Sequence, residues 1–151
     1  MEKRNRSGRK GLVALGVVIP TAAFFFMNRQ LTPTVAWGTD AAAALQAGQT
    51  DGKPVLLVFT GPGCPFCWRM ERAVLPSAPV ERELGRFIPV RVDTAADRAS
   101  VQRFGIEGIP ALVVVSPDGT IAARATGYHG VDEFTRFLRR VPASPAAPSG
   151  S

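Results

Sequence analysis

The 151-residue chain is poor in the side chains that most often carry enzyme chemistry, with two cysteines, one histidine and one tyrosine. Cys64 and Cys67 stand alone, so the multi-bridge framework that props up small secreted domains is excluded. A closed zinc site needs four ligands, and two thiols with the single His129 fall short of that, so no metal is expected. Acidic side chains are scarce at the N-terminus, where Glu2 alone faces Lys3, Arg4, Arg6, Arg9, Lys10 and Arg29 within residues 1–36. That stretch carries a net charge of +5 and the rest only +1, so the sequence pI of 10.3 belongs to the leader. The remainder has no basic stripe interleaved with aromatics, which argues against nucleic acid as a partner.

What is present begins with residues 11–27, GLVALGVVIPTAAFFFM, a run without charge behind a basic head at 1–10. This order matches an export signal or a membrane anchor with its basic side in the cytoplasm, and places the rest of the chain in the periplasm or another extracytoplasmic space. Seventeen residues exceed a usual signal-peptide core of about 7–15 and reach the short edge of the roughly 17–25 that span a bilayer. Thr34-Val35-Ala36 is a weak cleavage site, so an uncleaved anchor is the favoured expectation and a secreted, cleaved form the alternative. A linker is expected over 28–38, a domain over 39–141 and a disordered Pro/Ala/Ser tail over 142–151.

Within the domain, Asp40–Ala47 has helical composition with Gly48 as its expected end. Val55–Phe59 is apolar at every position, as a strand covered on both faces would be. Thr60-Gly61-Pro62-Gly63 breaks it, and a helix is expected over Cys64–Leu75, then a short one over Pro79–Leu84. Phe87–Val92 and Ala111–Val115 read as further strands, separated by a helix over Asp97–Phe104. Ser116-Pro117-Asp118-Gly119 turns the chain into Thr120–Thr126, and an amphipathic helix over Val131–Arg140 closes the domain. The element order makes this an α/β fold, a mixed sheet between helices.

The chemistry points to Cys64-Pro65-Phe66-Cys67. A cysteine at the first turn of a helix sits among unpaired N–H groups at the positive dipole end, which favours the nucleophilic thiolate. Cys67, one turn on, is placed to resolve a mixed disulfide. As a staple the pair would stabilise by only roughly 2 kcal/mol under the loop-entropy model, which favours a redox role, and dithiol exchange needs no cofactor. Glu71 shares a helix face with Cys67 and is a candidate proton acceptor, set against an ordinary solvated charge. His129, in Gly-Tyr-His-Gly, reads as a surface loop residue. Ile109-Pro110 precedes a buried strand, where a strand-start proline or a cis peptide would both fit.

The stretches Lys53–Phe59, the CxxC pair and Gly108-Ile109-Pro110-Ala111-Leu112 resemble the thioredoxin family over residues 39–140. With Val92-Asp93-Thr94, Phe104-Gly105-Ile106, Ser116–Gly119 and Thr126-Gly127-Tyr128, the chain is more narrowly similar to the C-terminal periplasmic domain of the bacterial membrane thiol:disulfide interchange protein. The resemblance implies a thioredoxin fold and a cis bond before Pro110, which lies beside Cys64. It implies substrate contacts from Pro65, Phe66, Ile109 and Pro110, the Ile109 backbone pairing with an extended segment. Implied partners are thiols and disulfides of exported proteins and a membrane electron donor. Three departures stand out: Val58 occupies the place of a buried acid, Gly63 that of a tryptophan and Trp68 that of a lysine. The competing class is a non-redox binding module docking through Phe66 and Trp68.

Overall fold

The computed structural model of the protein describes residues 35–142. The basic head, the apolar segment 11–27, most of the expected linker and all but the first residue of the expected tail lie outside the described residues. In chain order the elements are α1 (Ala41–Asp51), β1 (Val55–Thr60), α2 (Pro65–Ala73), α3 (Ala78–Leu84), β2 (Ile88–Asp93), α4 (Arg98–Phe104), β3 (Ala111–Val115), β4 (Ile121–Thr126) and α5 (Val131–Arg140). Among the described residues no helix is long and apolar enough to cross a membrane.

The four strands form one mixed sheet in the order β2-β1-β3-β4. Strand β1 pairs in parallel with β2, Leu57 opposite Val90, and antiparallel with β3, Leu57 opposite Val113. Strands β3 and β4 form an antiparallel hairpin. The unbroken apolar run of β1 has its explanation in two cores. Leu56 and Val58 face one side, with Met70, Val80, Leu84, Phe134 and Leu138 of α2, α3 and α5. Val55, Leu57 and Phe59 face the other, with Ala41, Ala44, Leu45 and Phe104 of α1 and α4. Alternating side chains cross a strand, so a strand buried on both faces needs an apolar residue at every position.

Helix α1 corrects one expectation. Gly48 does not end it: the helix runs to Asp51, and Gly52, at φ +65°, caps it with an N–H donated to the Gly48 carbonyl. Gly48 is there because a Cβ would stand 2.7 Å from Val55 Cγ2 and 2.8 Å from the Lys53 carbonyl, so α1 packs on the start of β1 through bare backbone. Asp40 caps the other end, accepting from the Ala43 N–H at 2.9 Å.

The last residues of the expected linker are docked on the domain. Gly38 bridges to Val90, donating to the Pro89 carbonyl and accepting from the Arg91 N–H, both at 2.9 Å. Val35 and Trp37 pack on the core beneath α2, α3 and α5, and the Arg91 guanidinium lies 4.8 Å from the Trp37 ring. The outer edge of β2 is thereby partly covered, which blunts a template for unwanted strand pairing.

Candidate active site

The end of the sheet where β1 stops carries the cysteines. Because β1 and β3 are antiparallel with Phe59 opposite Ala111, the residues after β1 and those before β3 meet at the same end. Gly63, at φ +72°, turns the chain out of β1, a conformation that favours glycine over the bulky side chain of the family pattern. Cys64 is the N-cap of α2, with Pro65 in the first turn, where its missing N–H costs nothing. The Cys67 N–H donates to Cys64 Sγ at 3.1 Å, and the Trp68 N–H to the Cys64 carbonyl at 3.2 Å. Cys64 and Cys67 are joined as a disulfide, their Cα atoms 5.3 Å apart. Cys64 is half-buried, whereas Cys67 is 3% exposed and belongs to the core. The helix thus presents one sulfur outward and holds the other beneath it.

The Ile109–Pro110 peptide is cis, and Pro110 is buried at the start of β3 with its carbonyl accepting from the Gly127 N–H at 2.8 Å. Gly61 lets the loop after β1 approach it: a Cβ there would lie 3.0 Å from Ile109 Cδ1 and 2.7 Å from Thr94 Oγ1. A groove of about 370 Å³ runs beside this contact, lined by Gly61, Pro62, Gly108 and Ile109 among others.

A second recess, of about 340 Å³, opens on the cysteines themselves and is lined by Cys64, Cys67, Trp68, Glu71 and Asp93. Glu71, singled out from its spacing to Cys67, lines the same recess as the Cys67 sulfur. Asp93, at the end of β2, joins it there as a site residue that spacing does not reveal; in the sequence Val92-Asp93-Thr94 stands out only as a point of resemblance. Its carboxylate accepts from the Ala95 N–H at 2.8 Å, which fixes it at the mouth of the loop. Val58 is fully buried among Leu56, Met70 and Leu112, so that position offers the dithiol no carboxylate.

Around the outward sulfur the surface is aromatic. Phe66 and Trp68 are each 57% exposed. The Phe66 ring lies 6.2 Å from that of Tyr128, which also packs against the core and carries the Arg69 guanidinium 5.1 Å from its ring. The Arg72 guanidinium lies 4.4 Å from the Trp68 ring. Tyr128 has no site role on sequence grounds, being sixty-two positions beyond Phe66. His129 lies in the loop before α5, but half-buried, with Nδ1 3.7 Å from Glu133 Oε2 and Nε2 buried without a hydrogen-bond partner among the described residues.

Residues 41–142 match the family model described as a thioredoxin-like domain. Among curated relatives, the thiol:disulfide interchange protein DsbD of Ralstonia nicotianae is 32% identical over 102 residues, 64% of this chain and 17% of that protein. A probable thioredoxin of Archaeoglobus fulgidus is 38% identical over 60 residues, 40% of this chain and 64% of that one. The chain thus spans about a sixth of the DsbD relatives it matches, which are covered to 17%. Among solved structures, a thioredoxin from Thermus thermophilus superposes with a TM-score of 0.63 at 25% identity, over 71% of this chain and 87% of that one. The oxidised C-terminal domain of Neisseria meningitidis DsbD superposes with a TM-score of 0.62 at 24% identity, over 71% of this chain and all 100% of that domain, a likeness of fold.

Proposed function

The chain belongs to the thioredoxin-like domain family, and on that premise we propose that it is an extracytoplasmic thiol:disulfide oxidoreductase working through Cys64 and Cys67. The observation that carries this reading is the asymmetry of the pair, Cys64 capping α2 and Cys67 buried one turn behind it, at the sheet end that also holds cis-Pro110.

In the reduced protein the Cys64 thiolate is favoured by the N–H groups and dipole of the α2 N-terminus. It attacks one sulfur of a partner disulfide, forming a mixed disulfide and expelling the partner's second sulfur as a thiolate, which takes up a proton. Cys67 then loses its proton and attacks Cys64 Sγ, closing the intramolecular disulfide and expelling the partner's first sulfur. Two electrons pass from the dithiol to the partner, and a dithiol donor at the membrane restores the pair by the reverse sequence. Glu71, which lines the same recess together with Asp93 and follows Cys67 by one helical turn, is our candidate to receive the Cys67 proton. Pro65 and Phe66 contact the partner from α2, while Ile109 and Pro110 present the backbone along which an extended segment pairs. Residues 11–27 serve as an uncleaved anchor that keeps the domain, 39–141, on the extracytoplasmic side.

The test is equilibration of the full chain against glutathione and against a low-potential dithiol. A potential near about −270 mV would make it a reductase, and one near about −120 mV an oxidant. Absence of any reversible couple would overturn the redox reading. Exposed Phe66 and Trp68 favour a second reading, a docking module whose cysteines are incidental. Full cellular function of the Cys64→Ser/Cys67→Ser protein would select it.

A further inference from the structure

Dithiol exchange as described gives the two cations on the outer crest of α2 no task. Arg69 and Arg72 lie there, both exposed, on the side of the helix away from buried Cys67 and Met70. Neither forms an ion pair among the described residues, where the arginine–carboxylate pairs are Arg86–Glu83 and Arg139–Glu83. Each is instead held over an aromatic ring, Arg69 by Tyr128 at 5.1 Å and Arg72 by Trp68 at 4.4 Å. A guanidinium resting on a ring keeps its N–H fork free at the rim, poised for a bidentate carboxylate with part of its side-chain freedom already spent. The nearby carboxylates do not neutralise the crest, because Glu71 and Asp93 line the recess beside Cys67. The site is therefore bipolar, basic and aromatic over the crest and acidic in the recess.

We propose that the crest formed by Phe66, Trp68, Arg69, Arg72 and Tyr128 docks an acidic protein segment, and that partners carry carboxylates beside the cystine they present to Cys64. This deepens the oxidoreductase reading and rests on it. Trp, Tyr and Arg are the residue types that most often anchor protein interfaces, and Trp68, Arg69 and Arg72 are exposed here while Tyr128 is half-buried beside them. The two cations supply the sign of the partner: carboxylates over them gain charge-assisted hydrogen bonds, whereas a lysine-flanked cystine meets repulsion. The recess carboxylates fix the orientation, turning the acidic flank of the partner toward the crest.

The experiment uses the prereduced full chain in single-turnover reduction of two peptides with the same cystine, one flanked by Asp and the other by Lys, with uncharged 2-hydroxyethyl disulfide as a third substrate. At low ionic strength the Asp peptide is expected to be reduced faster by about tenfold or more. The preference should collapse near 1 M salt, where the Debye length falls to about 3 Å. Arg69→Glu/Arg72→Glu should invert the ratio and Arg69→Gln/Arg72→Gln bring it close to unity, so the milder pair decides if charge reversal impairs folding. Equal wild-type rates for the two peptides, or a preference that the Gln pair leaves in place, would overturn the acidic-partner inference alone. A wild-type chain inert toward all three disulfides would instead overturn the oxidoreductase reading, and this inference with it.

Discussion

Two groups of arginines on this small domain are treated in opposite ways. Arg86 and Arg139 converge on Glu83 between α3 and α5, at 3.1 and 2.8 Å, and Arg86 also donates to the Leu138 and Val141 carbonyls at the end of α5. Arg69 and Arg72, on the crest of α2, touch rings and, among the described residues, no carboxylate. Arg86 donates to carbonyls at a helix C-terminus and, with Arg139, ties two helices together through Glu83, so the charge of this pair is used within the fold. The second pair contributes nothing of that kind and keeps its charge at the surface beside the dithiol. Unspent charge next to a reactive group is better explained by what arrives from outside than by what holds the domain together.

The contrast is sharpened first at the site itself. Cys67→Ser should leave Cys64 able to attack and unable to resolve, so partner adducts that dithiothreitol releases should accumulate on non-reducing gels, while Cys64→Ser gives none. On the structural side, Arg86→Ala strips both Glu83 and the carbonyls of Leu138 and Val141 of a donor, and a loss of about 1–3 kcal/mol in urea unfolding is expected. Smaller and dependent on pH is the effect at Glu83. The hydrogen bond from Arg139, with the charges of Arg139 and Arg86, holds its carboxyl below the ordinary 4.5 against the opposing effect of burial. A lowered folded-state value means that the contribution is fully present above about pH 4.5 and lost as pH falls through the lower folded value. Glu83→Gln should therefore lower the urea midpoint at neutral pH and flatten its decline on acidification. The smallest effect on stability is expected for Arg69→Ala and Arg72→Ala, within about 0.5 kcal/mol of wild type. A loss as large as that of Arg86→Ala would erase the distinction between the two groups.

Much of the scaffold was legible because its signals are local. The continuous apolar runs of β1 and β3 and the amphipathic pattern of α5 located those elements to within a residue, since burial on two faces or on one writes a different periodicity. Gly48 misled because a glycine in sequence looks the same whether it ends a helix or lets a helix approach a strand; only the position of Val55 separates the two. The cysteines announced themselves by spacing. Pro110 needed the family resemblance to go beyond an open choice, and the cis peptide decided it.

The chain by itself determined the order of elements and the placement of Cys64 at the start of a helix, because each rests on signals within a few neighbouring residues, while the missing acid at Val58 stood out only against the family resemblance. Tertiary structure alone decided that Asp93 joins Glu71 in the recess at the cysteines, that the Tyr128 ring meets that of Phe66 at a tilt, and that Arg69 and Arg72 rest on rings while Arg86 and Arg139 pair with Glu83. Those facts depend on which distant segments the sheet brings to one end. Side-chain charge and ring contacts act over a few ångströms of space, and no spacing along the chain records them.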